Sequence, residues 1–190
     1  MRVEVFRRGM RRSFLAFVAL TAMHIAVGCG PTLVGVIKDN HCDRVPELLA
    51  KGYGVNTRDR DDYSPLDWAA KLARLDCVKV LVANGATVES HDDSDWTPLI
   101  YACDARASQE RLDVVQFLIE NGANPNGRDA AGWTPLEYAV RNRNVPLVEL
   151  LISRGADVNS KTNAKETPLS IAKVYKAGDV AEVLRRHGAT

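Results

Sequence analysis

The sequence has no excess of charge of one sign. Its 190 residues include 25 lysines and arginines against 24 aspartates and glutamates, for a formal net charge of +1. Domains that bind nucleic acid concentrate basic surface, so this balance argues against a nucleic-acid partner. Low-complexity stretches and inter-domain linkers are also missing from the sequence. We therefore expect an ordinary folded domain behind a short N-terminal segment.

Motifs that would indicate catalysis or metal binding are missing as well. The sequence has no phosphate-binding glycine loop, no nucleophile elbow and no metal-binding histidine pair. Its four histidines have no Cys, Ser or acidic partner at a recurring catalytic spacing. The aspartate-rich stretches at 59–62 and 91–95 lack the glycine and distal glutamate of a calcium loop. We expect a protein that is not an enzyme and that needs no metal or cofactor.

What the sequence does contain is a repeated signature. Ser/Thr-Pro-Leu occurs at 64–66, 97–99, 134–136 and 167–169, with the prolines 33, 37 and 33 residues apart. A glycine at 52 and Gly-Ala pairs at 85, 122, 155 and 188 keep the same step. Two landmarks with one period predict stacked repeats, which typically present a binding surface rather than a catalytic pocket.

One repeat shows what the unit is. Thr134 is a good N-cap, and Pro135 suits the first helical position, where a missing N–H costs nothing. A short helix is predicted from there to Asn142, and a second from Pro146 to Arg154, with Gly155 as a left-handed C-cap. The polar stretch 157–165 has no helical period and is expected to project as a finger. Helices this short need neighbouring units to cover their apolar faces.

This unit resembles the ankyrin repeat. The matching features are Thr-Pro-Leu, an alanine three residues after each leucine, and Asn-Gly-Ala-Asn at 121–124. The resemblance covers residues ~30 to 190. It implies an all-α solenoid of helix-turn-helix units with projecting β-hairpin-like fingers. About five units are expected, with a degenerate first cap and a polar last cap: 31–56, 57–89, 90–126, 127–159 and 160–190.

The sequence departs from the family at one position. The family usually has histidine after Thr-Pro-Leu, and this chain has Asp67, Ile100, Glu137 and Ser170 there. The resemblance implies that a hydrogen-bonding link between repeats is lost, so that repeats are held together less strongly. The 37-residue step is a second exception, with four extra residues within 104–111. We expect these residues either to extend the first helix or to form a turn that projects outward. The insertion is either neutral variation in length, which surface loops tolerate, or a contact that the partner recognises.

Three cysteines fall at core positions of the repeats. Cys42 and Cys77 align with Leu, Val and other apolar residues of sibling units, and Cys103 aligns with alanine and valine. We expect all three to be small buried apolar side chains. A disulfide is the alternative, because an exported chain meets an oxidising compartment. An odd number of cysteines leaves at least one without an intramolecular partner.

Residues 1–28 have the pattern of a secretory signal. Five arginines precede an apolar, uncharged run from Ser13 to Gly28, and small residues lead to Cys29. This junction resembles a bacterial lipobox, which implies cleavage before Cys29, lipidation of that cysteine and attachment to the outer membrane. Cleavage without lipid, giving a soluble periplasmic chain, and an uncleaved anchor are the alternatives. Loss of residues 1–28 would change the net charge from +1 to −3.

These features predict a protein-binding module of the cell envelope, in a domain spanning 29–190. Finger tips and first helices are expected to contact the partner through Arg58, Asp59, Arg60, Asp61, Asp67, Lys71, His91, Asp92, Asp93, Asp104, Arg128, Asp129, Glu137, Arg141, Lys161 and Asn163. The alternative interpretation of the acidic fingers is purely structural: an Asp-rich turn whose side chains cap its own backbone. Trp96 and Trp133 are candidate aromatic anchors, although their position favours packing.

The resemblance also implies candidate roles. Some exported bacterial ankyrin lipoproteins are immunity proteins that block a secreted toxin, often a phospholipase. An accessory protein that stabilises a periplasmic enzyme is a second possibility. A secreted effector directed at a host cell is a third.

Overall fold

A computed structural model describes residues 32–190. This part of the chain consists of helices and turns and contains no β-strand. A 3-10 helix at Cys42–Arg44 precedes the second α-helix. The α-helices are α1 (Leu33–Lys38), α2 (Val45–Ala50), α3 (Pro65–Lys71), α4 (Leu75–Ala83), α5 (Pro98–Cys103), α6 (Gln109–Glu120), α7 (Pro135–Arg141), α8 (Val145–Ser153), α9 (Pro168–Val174) and α10 (Gly178–Arg186).

The helices stack in two layers. The first helices of the units, α1, α3, α5, α7 and α9, each contact the next in that series. The second helices, α2, α4, α6, α8 and α10, form a parallel series against them. The core lies between the layers, and its largest fully buried side chains include Leu66, Leu81, Leu99, Leu118 and Leu136. The predicted all-α repeat solenoid is confirmed.

The repeated Ser/Thr-Pro-Leu signature starts the first helices of units two to five as predicted. The hydroxyl of Thr134 accepts a hydrogen bond from the Leu136 N–H, and Pro135 occupies the first turn. The side chain of Glu137 accepts from the Thr134 N–H in return, which completes a capping box. At the far end, Gly155 has φ of +87°, and the next N–H bonds back to Leu151. That is the left-handed C-cap expected there.

The extra residues of the 37-residue step lengthen the second helix by three residues and the turn before it by two, while the first helix is one residue shorter than in units two and four. Helix α6 has 12 residues against 9 in α4 and α8, whereas α5 has only 6. The prediction of a longer first helix is therefore wrong. The second helix starts earlier because Ser108 is its N-cap: the Ser108 hydroxyl accepts a hydrogen bond from the Arg111 N–H.

Arg111, in this added turn, points inward. It is 8% exposed, and its guanidinium donates to the Ala102 carbonyl at 2.8 Å and the Lys71 carbonyl at 3.2 Å. Those carbonyls lie at the C-terminal ends of α5 and α3, where helices have unpaired acceptors and partial negative charge. The insertion thus ties together the first helices of units two and three.

The cysteines depart from the favoured expectation. Cys42 and Cys77 are buried, but they form a disulfide with Cα atoms 4.9 Å apart. The expectation of three unpaired cysteines was wrong because two core positions that are not equivalent in the repeat, one in unit one and one in unit two, face each other across the stack. The bond joins the 3-10 helix of unit one to α4 of unit two. Cys103 is free and fully buried as expected, and burial raises the pKa of its thiol.

The predicted signal segment 1–28 and Cys29 lie outside the described residues. Within 32–190, none of the helices is both long enough and apolar enough to cross a bilayer.

Candidate functional site

The fingers of units two, three and four are each built around one aspartate. Asp129 lies at the start of the unit-four finger, and its Oδ1 accepts the N–H groups of Ala131 at 2.9 Å and Trp133 at 2.8 Å. Asp59 and Asp92 make the same pair of bonds in units two and three. The interpretation of these aspartates as turn residues that cap their own backbone is confirmed.

The second oxygen of each finger aspartate holds a ring nine residues further on. Asp59 accepts from the Trp68 indole N–H at 2.7 Å, and Asp129 accepts from the Tyr138 hydroxyl. Asp92 accepts from Tyr101 in the same way. These rings lie on the first helices, so each bond fixes a finger against its own helix.

These ties affect the pKa values on both sides. Burial, followed by the hydrogen bond to the aspartate, raises the pKa of Tyr101 and of Tyr138 well above its usual range. Burial alone would raise the pKa of Asp59, but the hydrogen bonds from Trp68 and from the backbone of Tyr63 and Asp61 outweigh it and leave that pKa lowered. The tyrosines therefore stay neutral donors.

Two of the predicted contact arginines join neighbouring fingers. Arg128 donates to the Gly132 carbonyl of its own finger and to the Lys161 carbonyl of the next, both at 2.8 Å. Arg58 does the same across units two and three, donating to the His91 carbonyl at 2.5 Å. Both guanidiniums already donate to backbone carbonyls of two fingers, so their main structural role is to hold neighbouring units together.

Three predicted contact residues are buried. Asp67 and Glu137 are each fully buried, and Asp129 is 7% exposed. The prediction that these side chains contact a partner is wrong, because the capping box and the finger turn enclose them. Asp67 and Glu137 cap the first helices of their units, and Asp129 caps the backbone of its finger.

The buried glutamate also replaces the link expected to be lost between repeats. Glu137 Oε1 accepts a hydrogen bond from the Ser160 hydroxyl of unit five. Asp67 and Ser90 occupy the equivalent positions of units two and three, but Asp67 is one methylene shorter. Both Asp67 Oδ1 and Ser90 Oγ are buried without a partner. The link is therefore restored between units four and five and is missing between units two and three.

The remaining predicted tip residues lie at the surface. Asn163 is bonded to the preceding finger, through its N–H to Ala131 and its amide to Ala130, each at 3.0 Å. Asp93 donates its N–H to the Asp62 carboxylate at 3.0 Å. The exposed tip residues are Arg60, Asp61, His91, Asp93, Lys161 and Asn163. Their contact with a partner stays a prediction.

Three of the predicted first-helix residues, Lys71, Asp104 and Arg141, form a row with Lys38 at the C-terminal ends of the helices. Lys38, Lys71 and Arg141 hold equivalent positions in units one, two and four, and Asp104 holds that of unit three. Arg141 pairs with Asp104 across the stack. Lys71 donates to the Tyr63 hydroxyl at 3.0 Å, and no carboxylate of residues 32–190 lies within ion-pair distance of it.

Six aromatic rings form a continuous ladder across units two to four. Adjacent ring centroids are 4.7 to 5.3 Å apart, in the order Trp68, Tyr63, Tyr101, Trp96, Tyr138 and Trp133. We call these six residues the aromatic ladder, and the side that carries it with the finger tips the ladder face. Trp96 and Trp133 pack within the ladder as expected, yet four of the six rings remain partly exposed.

Three cations of the row lie over the ladder. Lys38 is 3.6 Å from the Trp68 ring centroid, and Lys71 is 4.5 Å from that of Tyr63. The Arg141 guanidinium is 4.7 Å from the Tyr138 centroid. Such contacts contribute about 0.5–2 kcal/mol each, depending on exposure. Sequence reasoning missed Lys38 and four of the rings, although the nine-residue spacing from aspartate to ring recurs in three units.

One cavity opens on the ladder face between units two and three. Its volume is about 460 Å³. It is lined by Asp61, Tyr63, Lys71, Asp92, Ser94, Trp96, Tyr101 and Asp104. We call it the Tyr63–Trp96 pocket. Among residues 32–190, no group of His, Cys, Asp or Glu is arranged to hold a metal ion.

The sequence matches a known protein family along the helical stack. The family model described as ankyrin repeats in three copies matches residues 33–129, 90–162 and 105–190. Together these overlapping matches span the whole helical stack. A search of the curated proteins finds no match.

Proposed function

Because the chain belongs to the ankyrin repeat family, we propose that its ladder face binds a partner protein. Ankyrin repeats are typically interaction modules without catalytic activity. The observation that carries the proposal is the aromatic ladder. Partly exposed Trp and Tyr rings in contact with one another, rimmed by charges, are characteristic of binding surfaces. Such rings also supply most of the binding energy where interfaces have been dissected.

A cross-linking experiment tests this proposal. The full chain, tagged at its C-terminus, is cross-linked in the producing cells and recovered, and the attached protein is identified by mass spectrometry. Replacing Trp96 and Trp133 with leucine is expected to reduce recovery of that protein about tenfold or more, because the ladder loses its two indoles.

The matched control is Phe117→Leu, which shortens an aromatic side chain on the second-helix layer. It should recover the same protein as wild type. Circular dichroism must show that all variants are folded. If the variant with leucine at both tryptophans recovered as much of the cross-linked protein as wild type does, binding through the ladder face would be contradicted.

We propose further that the protein acts in the cell envelope. Residues 1–28 would direct export, and a lipid on Cys29 would tether the domain to the outer membrane, facing the periplasm. The Cys42–Cys77 disulfide supports export, because such bonds form and persist in oxidising compartments. A diacylglycerol chain pair contributes enough buried hydrocarbon for stable attachment.

Metabolic labelling checks the tether. Cells grown with a palmitate analogue are expected to label the wild-type chain and not Cys29→Ala, since the lipid would have no thiol to occupy. Cys103→Ala should label like wild type, because that thiol is buried. An unlabelled wild-type chain that still reaches the periplasm would mean cleavage without lipidation.

A narrower form of the proposal is an immunity protein that inhibits a secreted toxin such as a phospholipase. Tethering would hold the inhibitor at the membrane where such a toxin acts. A toxin gene beside this one would favour that role. A neighbouring gene for a periplasmic enzyme would favour an accessory role. A lipid-free chain released from the cell would favour a host-directed effector.

A further inference from the structure

The Tyr63–Trp96 pocket combines aromatic rings with carboxylates, which is the chemistry of a site for an organic cation. We propose that it receives an arginine side chain from a basic segment of the partner protein. This inference rests on the proposed function of the ladder face and adds the chemical class of what that face recognises.

The rings give the pocket its attraction for a cation. The centroids of Tyr63 and Trp96 lie 5.0 and 4.9 Å from that of Tyr101, so three ring systems line one cavity. Aromatic faces carry partial negative charge and attract ammonium and guanidinium groups. The same attraction operates at neighbouring rings of the aromatic ladder, where Arg141 lies over Tyr138 and Lys38 lies over Trp68.

The charges of the lining favour a cation over an anion. Three carboxylates, those of Asp61, Asp92 and Asp104, face one ammonium, that of Lys71. Asp92 is occupied by its turn and by Tyr101, and Asp104 is paired with Arg141. Asp61 is exposed, and its carboxylate accepts no hydrogen bond from any residue of 32–190. The pocket therefore has one carboxylate still free to bind.

The geometry favours arginine over lysine. A guanidinium is planar, stacks on an aromatic face and forms two parallel hydrogen bonds to one carboxylate. It can therefore contact the Trp96 ring and Asp61 together. The ammonium of Lys71 already lies against the Tyr63 and Tyr101 rings, at 4.5 and 5.6 Å from their centroids. The free part of the pocket is thus on the Trp96 and Asp61 side.

The surroundings extend the same preference beyond the pocket. The exposed finger tips of units two and three carry Asp61, Asp93 and Asp95. Between residues 59 and 63, Arg60 is the one exposed cation. The fifth finger instead exposes Lys161 and Lys165. A basic segment is drawn toward units two and three and away from unit five, which orients it along the ladder face.

A titration with defined peptides tests the inference. The full chain in neutral detergent is titrated by calorimetry with a peptide of alternating arginine and glycine. The same peptides with citrulline or glutamate in place of arginine serve as probes of shape and charge. We expect the arginine peptide to bind tightest and the citrulline peptide at least about tenfold more weakly, since citrulline keeps the shape without the charge.

Variants assign the binding to the pocket. Asp61→Asn is expected to weaken the arginine peptide about fivefold and Trp96→Leu about fivefold to tenfold. Asp76→Asn, which removes an exposed aspartate from α4 of the same unit, and Phe117→Leu should bind like wild type. Unchanged binding by Asp61→Asn, or equal binding of the citrulline peptide, would overturn the inference. Tighter binding of the glutamate peptide would also overturn it and point to Lys71 as the recognising group.

The two proposals fail separately. If replacing Trp96 and Trp133 reduces recovery of the cross-linked partner but Asp61→Asn leaves the affinity for the arginine peptide unchanged, the ladder face is supported and the arginine site is contradicted. If both measurements are insensitive to their variants, the proposed function falls as well.

Discussion

Replacing Cys42 and Cys77 with alanine is expected to lower the free energy of unfolding by about 3–4 kcal/mol. The two cysteines are 35 residues apart, and a bond closing a loop of that length removes chain entropy from the unfolded state. The effect should be largest in unit one, whose α1 and α2 have six residues each. Urea unfolding measures the total, and hydrogen exchange of α1 and α2 locates it.

Reduction of the wild-type protein provides the control. Dithiothreitol should lower the stability of wild type by a similar amount and leave the double alanine variant unchanged. Cys103→Ala should remain as sensitive to the reductant as wild type, because Cys103 takes no part in the bond. A wild-type protein indifferent to dithiothreitol under unfolding conditions would contradict this account of the disulfide.

Asp67→Asn is expected to raise the stability at neutral pH by about 1–3 kcal/mol. Burial raises the pKa of Asp67 to about 6, against the hydrogen bonds from Ser64 and the charge of Arg58. An acid whose folded pKa lies above its unfolded value of 3.8 binds its proton more tightly when folded. Its contribution to stability is therefore present below pH ~4 and is lost as pH rises to ~6. Asparagine stays neutral throughout.

The difference between the two proteins should consequently grow from pH 4 to pH 6 and then stay level. Urea unfolding at each pH measures it. Glu137→Gln is the matched control, because it changes the equivalent carboxylate, whose oxygens are bonded to Thr134 and Ser160. That variant should be destabilised by about 1 kcal/mol through weaker hydrogen bonds. Parallel pH profiles for wild type and Asp67→Asn would contradict the assignment.

The elements set by local chemistry were predictable from the sequence. Thr134 and Pro135 determine where a helix starts, and Gly155 marks the left-handed residue after one ends, so these residues act within a few positions along the chain. The 33-residue spacing then predicted the stack, because short amphipathic helices need neighbours. The same reasoning placed the finger aspartates in turns.

Contacts between units were less predictable, because they depend on distances across the stack. The pairing of Cys42 with Cys77 requires two core positions to meet, and alignment of the repeats predicted only that each is buried. Asp67 and Glu137 look alike in sequence, but one methylene decides which of them reaches the serine of the next unit. The aromatic ladder emerges only when two rings per unit are stacked on those of the next.

The Cys42–Cys77 bond also determines how the domain would carry a mechanical load. Tension entering from the N-terminal side reaches Cys42 and crosses the sulfur–sulfur bond directly into α4. The backbone that holds α2 and α3 lies inside the closed loop and is not stretched, although a free chain would extend by about 3.5 Å per residue. A domain pulled from that end would therefore yield first at α1, which precedes Cys42, or at units beyond the bond, and α2 and α3 would not be its weak point.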